Sequence, residues 1–154
     1  MAPSTGKDMY LYYNSGTHAS PTWVGIDEVG DVTIDGLSRT IAELKRRAND
    51  FTKGLPGLLS LMTVSFTLLH GLGATVFTAL ITAFFAGTVK EYAIMDGSIE
   101  VAGSQGLRSA FLISEFPFNQ PLEDVAGHDV KLSGAYWEEP KGTEIDPDWY
   151  TYTT

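Results

Sequence analysis

Residues 58–87, which read LLSLMTVSFTLLHGLGATVFTALITAFFAG, contain the clearest structural pattern of the chain. Its first part, residues 58–69, alternates apolar residues with hydroxyl residues. Because successive side chains of a strand point to opposite faces, this period of two predicts a β-strand with one apolar face and one polar face. The apolar positions are Met62, Val64, Phe66 and Leu68, and the polar positions are Thr63, Ser65 and Thr67.

The second part of the stretch, residues 74–86, carries apolar residues spaced three, four and seven apart. This spacing predicts one helix that packs on a core through a single stripe. We expect that stripe to hold the helix against the apolar face of the strand. The stripe comprises Val76, Phe77, Leu80, Ile81, Phe84 and Phe85.

Composition and charge restrict the classes of function. A chain of 154 residues predicts one domain. It has no cysteine, which excludes disulfides and thiolate metal sites. The net charge is −9, and residues 90–154 carry twelve acidic and only four basic residues. This acidic half argues against tight binding to a phosphate backbone.

The remaining elements predict a mostly antiparallel β fold. Asp35-Gly36 and Asp96-Gly97 each predict a hairpin turn, because Asp-Gly accepts the positive φ of a type I′ turn. The first would join residues 29–34 to 37–41, and the second residues 89–95 to 98–102. Further strands are expected at residues 7–14, 23–26, 41–46, 107–116 and 128–137, with a loop at 49–57.

These elements predict an α+β, mostly β class: an antiparallel β-sandwich or barrel of seven to nine strands with one flanking helix. We divide the chain into an N-terminal arm (1–6), a β-sandwich domain (7–137) and an acidic C-terminal extension (138–154). The strand at 107–116 has mixed polarity on both faces, which indicates a second face that contacts a partner.

No catalytic signature is apparent in the sequence. Glu123, Asp124 and His128 could form an acid–base group of a hydrolase, but their spacing matches no ligand motif and favours an ordinary loop. We therefore predict no enzyme activity, no cofactor and no metal. The charge-free window 54–89 is interrupted by Pro56 and glycines, and its helical tract of about 13 residues is shorter than a membrane span requires.

Several local segments resemble the major tail tube proteins of tailed bacteriophages, over about residues 7–137. They are VGIDEVGDV (24–32), RRANDF (46–51) before LPGL (55–58), AGTVK (86–90), GLRSAF (106–111), FPFNQPLE (116–123) and DVKL (129–132).

This resemblance implies a structural virion protein without catalysis. Six copies would form a ring, and stacked rings would form a hollow tube through which DNA passes without specific binding. The expected partners are other tail proteins: the tape measure, the tail terminator and the baseplate or tip. The expected location is the tail tube of a virion assembled in the host cytoplasm. The tubes of contractile injection and type VI secretion systems share this architecture, so such a tube is the alternative function.

Taken together with this resemblance, the residue patterns suggest roles for particular residues, and the aromatic residues of the polar C-terminal extension are expected to dock on their own subunit or on a neighbour. The polar side of the strand, formed by Thr63, Ser65 and Thr67, would face the lumen. Contacts between subunits would involve Arg46, Arg47, Asp50, Phe51, Trp149 and Tyr150. A less favoured alternative is a monomeric β-barrel that binds a small apolar ligand, with a cavity lined by Phe66, Phe77, Phe84 and Phe111.

Overall fold

A computed structural model of the chain describes residues 10–26, 29–45, 52–69, 75–119 and 127–153. These residues hold eleven strands and one helix. The elements are β1 (Tyr10–Asn14), β2 (Trp23–Gly25), β3 (Val29–Asp35), β4 (Arg39–Leu44), β5 (Lys53–Leu59), β6 (Thr63–Leu69), α1 (Thr75–Ala86), β7 (Lys90–Met95), β8 (Gln105–Glu115), β9 (Phe118–Asn119), β10 (Gly127–Gly134) and β11 (Asp148–Thr151).

Nine of the strands form one antiparallel sheet in the order β2-β1-β7-β8-β10-β6-β3, with β11 beside β8 and β9 beside β10. The other two, β4 and β5, form a two-stranded antiparallel ribbon. The predicted class, mostly β with antiparallel strands and one helix, is confirmed.

The apolar face predicted for β6 is confirmed. Val64, Phe66 and Leu68 are 0%, 3% and 2% exposed and belong to the main hydrophobic core. The strand begins at Thr63 rather than at residue 58, however, because residues 58–59 lie in β5 and pair with β4. Burying one apolar face of β6 therefore fixes its register against β3 and β10.

The hairpin predicted at Asp35-Gly36 is wrong. β3 pairs with β6 and β4 pairs with β5, so β3–β4 and β5–β6 are the two arms of one long hairpin, bent at residues 36–38 and 60–62. Gly36 has a φ of 81°, and a Cβ there would lie 2.5 Å from the Leu61 carbonyl oxygen. The Asp-Gly pair thus makes a bend rather than a reversal. The loop predicted at 49–57 is also wrong over Lys53–Gly57, which belongs to β5.

The hairpin at Asp96-Gly97 does reverse the chain, but the returning strand is β8 and not residues 98–102. Val101 N–H donates to the Ser98 carbonyl and Ser104 N–H to the Val101 carbonyl, so this segment forms local turns. The positive φ occurs at Gly103 (92°). A turn longer than two residues moves the start of β8 to Gln105.

The helix is confirmed, and its C-terminus has a defined cap. Gly87 has a φ of 66°, its N–H donates to the Phe84 carbonyl, and Thr88 N–H donates to the Ala83 carbonyl. These are the two hydrogen bonds of a Schellman motif. The buried positions are Leu80 and Ala83.

The predicted stripe of the helix needs one correction. Phe77 and Phe84 pack against the core at its edge, with ring centroids 6.0 Å from that of Phe116. Phe85 is 81% exposed and lies outside the stripe, because one residue turns a helix by about 100°. The part of the chain that the structure describes contains no helix that could span a bilayer.

The C-terminal extension contains a strand that the sequence did not predict. β10 ends at Gly134 beside Phe111, which leaves the edge of β8 at residues 105–108 open on that side. β11 pairs there, from Asp148 opposite Arg108 to Thr151 opposite Gln105. This part of the extension therefore docks on its own chain.

Candidate functional site: the polar sheet face and the ribbon

The side of β6 opposite the core is polar and partly exposed. Thr63, Ser65 and Thr67 alternate with the buried residues of the strand. Residues directly opposite each other in an antiparallel pair share a face, so the register extends this surface to β3 and β10. We call it the polar face. Its members are Asp31, Thr33, Asp35, Thr63, Ser65, Thr67, Glu115, Asp129, Lys131 and Ser133.

The polar face is net acidic. It carries four carboxylates, and its one ammonium group is that of Lys131. Lys131 Nζ lies 3.7 Å from a Glu115 carboxylate oxygen in an exposed ion pair, and the Thr67 hydroxyl donates to Asp129 Oδ1 at 3.2 Å. Much of the face lines an open groove of about 510 Å³. Such a surface is hydrated, and its net negative charge repels phosphate groups.

The ribbon β4–β5 exposes apolar side chains. Leu58 is 83% exposed, Ile41 69% and Leu55 47%. A two-stranded hairpin alone is only marginally stable in water, and an apolar surface of this kind marks an interaction site. The predicted contact residues Arg46, Arg47, Asp50 and Phe51 lie outside the described residues, in the segment that joins the two strands.

The two aromatic contact residues predicted in the C-terminal extension lie on β11. Trp149 is 61% exposed, and its indole N–H donates to Gln105 Oε1 at 2.8 Å. Tyr150 is half-buried, with its ring centroid 5.1 Å from the Arg108 guanidinium carbon. Trp149 therefore leaves most of its ring exposed, whereas Tyr150 mainly contacts its own chain.

Sequence reasoning missed a buried charged cluster on the other half of the sheet. Glu91 on β7 is 1% exposed, and its Oε1 accepts from Arg108 Nε at 2.7 Å and from Asn14 Nδ2 at 3.2 Å. The other oxygen, Oε2, lies 2.6 Å from His18 Nδ1, and this nitrogen also lies 3.1 Å from Arg108 Nη2. The Arg108 guanidinium also donates to the His18 carbonyl oxygen at 2.6 Å.

This cluster ties the ends of several strands together. The Arg108 guanidinium carbon lies 5.2 Å from the ring centroid of Trp23 on β2 and 5.1 Å from that of Tyr150 on β11, and these two rings also contact each other with centroids 6.2 Å apart. The second face of β8, for which we predicted a partner, is thus covered near Arg108 by the chain itself. The signal in the sequence was a pair of opposite charges in two neighbouring strands, Glu91 in β7 and Arg108 in β8.

The alternative enzyme site lacks support in the described residues. His128 is 2% exposed, and its ring centroid lies 4.5 Å from Phe118, 4.9 Å from Phe116 and 5.0 Å from Phe77. Glu123 and Asp124 lie outside the described residues. Within the ranges described, no three His, Cys, Asp or Glu side chains are grouped closely enough to hold a metal ion.

The residues proposed to line a ligand cavity instead take part in packing. Phe66 and Phe111 are 3% and 0% exposed and belong to the continuous core. Phe111 also packs edge-on against Tyr92 at 6.1 Å, and burial raises the pKa of the Tyr92 hydroxyl. These contacts favour a filled core over a binding cavity.

No protein-family model and no curated protein matches this sequence. Solved structures do match. A tail of an empty gene transfer agent particle, determined with C6 symmetry, has a TM-score of 0.70 at 12% identity and covers 97% of this chain and 100% of that chain. The SPP1 tail tube has a TM-score of 0.68 at 13% identity, covering 97% and 80%.

A third match comes from the sheath–tube complex of an extracellular contractile injection system in its extended state. Its TM-score is 0.59 at 10% identity, and the alignment covers 97% of this chain and 92% of that chain. Nearly the whole chain is aligned in all three comparisons. This chain therefore has the fold found in these tail and tube assemblies.

Proposed function

We propose that this chain is the major tube subunit of a phage-like tail, in which six copies form a ring and stacked rings enclose a channel for DNA. The observation that carries the proposal is the net acidic polar face on a sheet that has the fold of tail and tube proteins. A core strand with a hydrated, phosphate-repelling reverse side is suited to line a channel.

The geometry suggests which side is inside. α1 packs on the apolar side of the sheet, and the polar face lies on the opposite side. If Thr63, Ser65 and Thr67 face the lumen, then α1 lies toward the outside of the ring. DNA would meet hydroxyl and carboxylate groups and would slide without binding tightly.

The free edges of the sheet and the exposed ribbon favour assembly. β2 and β3 end the order of the described sheet, so each presents an edge that is unpaired among the described strands. Such edges are aggregation hazards in a monomer and become contacts in a ring. We propose contacts between subunits through the ribbon, the segment containing Arg46, Arg47, Asp50 and Phe51, and Trp149.

The proposal places the protein in a virion tail, together with tape-measure, terminator and baseplate or tip proteins, and gives it a structural role without catalysis. The tube of a contractile injection system is a second candidate, which the likeness to the sheath–tube complex supports. In that case a sheath would surround the same tube.

Light scattering tests assembly, since a ring of six would have a mass of about 100 kDa, six times 16.7 kDa. A strictly monomeric protein at high concentration would contradict the proposal.

Cysteine labelling tests which side faces the lumen, because the native chain has no cysteine. In assembled tubes of Ser65→Cys, a small maleimide should react and a large poly(ethylene glycol) maleimide should not. The matched control Thr82→Cys, on the exposed side of α1, should react with both. Equal reaction of Cys at both sites with the large reagent would place the polar face outside.

A further inference from the structure

The ribbon and the C-terminal extension differ in charge. Residues 39–53 carry five basic and two acidic residues, in a chain whose net charge is −9. Residues 138–148 carry five acidic residues and one lysine. The charge of the ribbon segment 39–53 is therefore opposite in sign to that of residues 138–148 in the C-terminal extension.

The acidic segment borders a groove with an apolar wall. The groove has a volume of about 790 Å³ and lies between the base of the ribbon and the C-terminal extension. Leu58, Leu61 and Tyr136, which are 83%, 69% and 64% exposed, supply apolar surface. Glu144 and Asp146 line the same groove, are exposed, and have no ion-pair partner among the residues that the structure describes.

The far end of the ribbon has the matching chemistry. Leu44 pairs with Lys53 there, Lys45 follows directly, and Leu55 is 47% exposed. Lys45 has one described partner, an exposed Glu43 carboxylate at 3.7 Å. Because this contact is weak and solvated, the ammonium groups of Lys45 and Lys53 are available for a stronger partner.

The far end cannot reach the groove of its own chain. Arg39 lines the groove at the base of the ribbon, and Leu44 lies five residues farther along β4. Five residues of strand span roughly 17 Å. The groove and the ribbon end therefore meet only between two different copies.

We propose that the far end of the ribbon of one copy docks into this groove of a neighbouring copy, with Lys45 and Lys53 facing the neighbour's Glu144 and Asp146. This inference rests on the proposed function and names the partner surface of the ribbon. The two surfaces of the contact differ, so it is heterologous and continues from copy to copy, as rings and stacks require.

Charge reversal tests the pairing directly. In the variant Glu144→Lys/Asp146→Lys, the groove repels the ribbon end of a neighbouring copy. In the variant Lys45→Glu/Lys53→Glu, the ribbon end repels the groove of a neighbouring copy. Each variant alone should need at least about tenfold more protein to assemble, measured by sedimentation velocity and electron microscopy. An equimolar mixture should assemble again, because it offers both natural and reversed charge pairs. The control Glu100→Lys changes an exposed charge elsewhere and should assemble like the native chain.

The outcomes separate this inference from the proposed function. Circular dichroism first establishes that every variant is folded. Variants that assemble like the native chain, or a mixture that stays dispersed, would overturn the docking contact while tubes of the native chain uphold the proposed function. A native chain that forms neither rings nor tubes would overturn both.

Discussion

The nine-stranded sheet and the two-stranded ribbon differ in which side chains they bury. The sheet buries one pair of opposite charges: Glu91 and Arg108 are 1% and 8% exposed and form an ion pair. The ribbon exposes even its leucines, with Leu58 83% exposed. Both consist of paired antiparallel strands, so the kind of backbone pairing does not explain the difference.

The sheet is stable through contacts within one chain, whereas the ribbon lacks a partner that would bury its apolar side chains. A buried ion pair is tolerated only where hydrogen bonds and packing surround it, which requires a rigid and complete environment. An exposed apolar ribbon gains little from folding alone and gains much from burial against another copy. We therefore expect changes in the sheet to alter unfolding of the monomer, and changes in the ribbon to alter assembly.

The largest effect is expected from breaking the buried ion pair. Arg108→Ala leaves the Glu91 carboxylate buried without its charged partner and should lower the free energy of unfolding by about 3–5 kcal/mol. Urea unfolding followed by circular dichroism measures this loss. The double variant Glu91→Gln/Arg108→Met removes both charges and should recover part of it. A loss below about 1 kcal/mol for Arg108→Ala would contradict a tightly coupled pair.

An effect of similar size is expected on the core side of β6, with none on its polar side. Phe66→Ala opens a cavity in the core and should cost about 3–5 kcal/mol, because Phe66 is 3% exposed. The adjacent Ser65→Thr adds a methyl group on the polar face and should change the free energy by no more than about 0.5 kcal/mol. Equal costs for the two variants in urea unfolding would show that both sides of β6 are buried.

A substitution in the ribbon should change assembly and leave the free energy of unfolding nearly unchanged. Leu58→Ala removes an exposed side chain and should leave the free energy of unfolding within about 0.5 kcal/mol of the native value. The same variant should raise the protein concentration needed for assembly. Leu68→Ala, at a position 2% exposed, is the matched control and should cost about 2–5 kcal/mol in unfolding. If Leu58→Ala assembled like the native chain, the ribbon would not be a contact surface.

The smallest effect is expected in the turn before β11. Glu138 accepts hydrogen bonds from the Tyr136 hydroxyl and from Gly142 N–H, and these lower the pKa of the Glu138 carboxyl from its ordinary value of 4.5. The same contact raises the pKa of Tyr136 to about 12. A lowered folded-state pKa means that Glu138 stabilises the turn above pH 4.5, and that this is lost as pH falls through the folded value.

Nuclear magnetic resonance can follow the Glu138 carboxyl and the Gly142 amide during an acid titration. Both should change with one midpoint below pH 4.5, and Glu138→Gln should abolish the change at Gly142. In the control Glu139→Gln, the pH-dependent change at the Gly142 amide should remain. A Glu138 midpoint at or above 4.5 would contradict the hydrogen bonds of this turn.

Local patterns in the sequence predicted the features that depend on neighbours along the chain. The alternation of β6 and the stripe of α1 are features of this kind. Burying one side of an element gives its apolar residues a period of two in a strand and of 3.6 in a helix. The polar side at Thr63, Ser65 and Thr67 is partly exposed in the same alternation, whereas its role in a lumen stays a prediction.

Features that depend on distant pairing were not predicted. Asp35-Gly36 has the composition of a hairpin turn, but the partner of β3 is β6, more than 25 residues later, and that pairing turns the site into a bend. The buried cluster joins His18 to Glu91 across 73 positions and to Arg108 across 90. No local period marks such contacts, and only the folded sheet brings them together.

Electron cryomicroscopy of assembled protein would show both the assembly and the side of the sheet that faces the channel. We predict stacked rings of six subunits, with Thr63, Ser65 and Thr67 at the channel wall and α1 on the outer side. Rings in which α1 lines the channel, or particles that remain single subunits at high concentration, would contradict it.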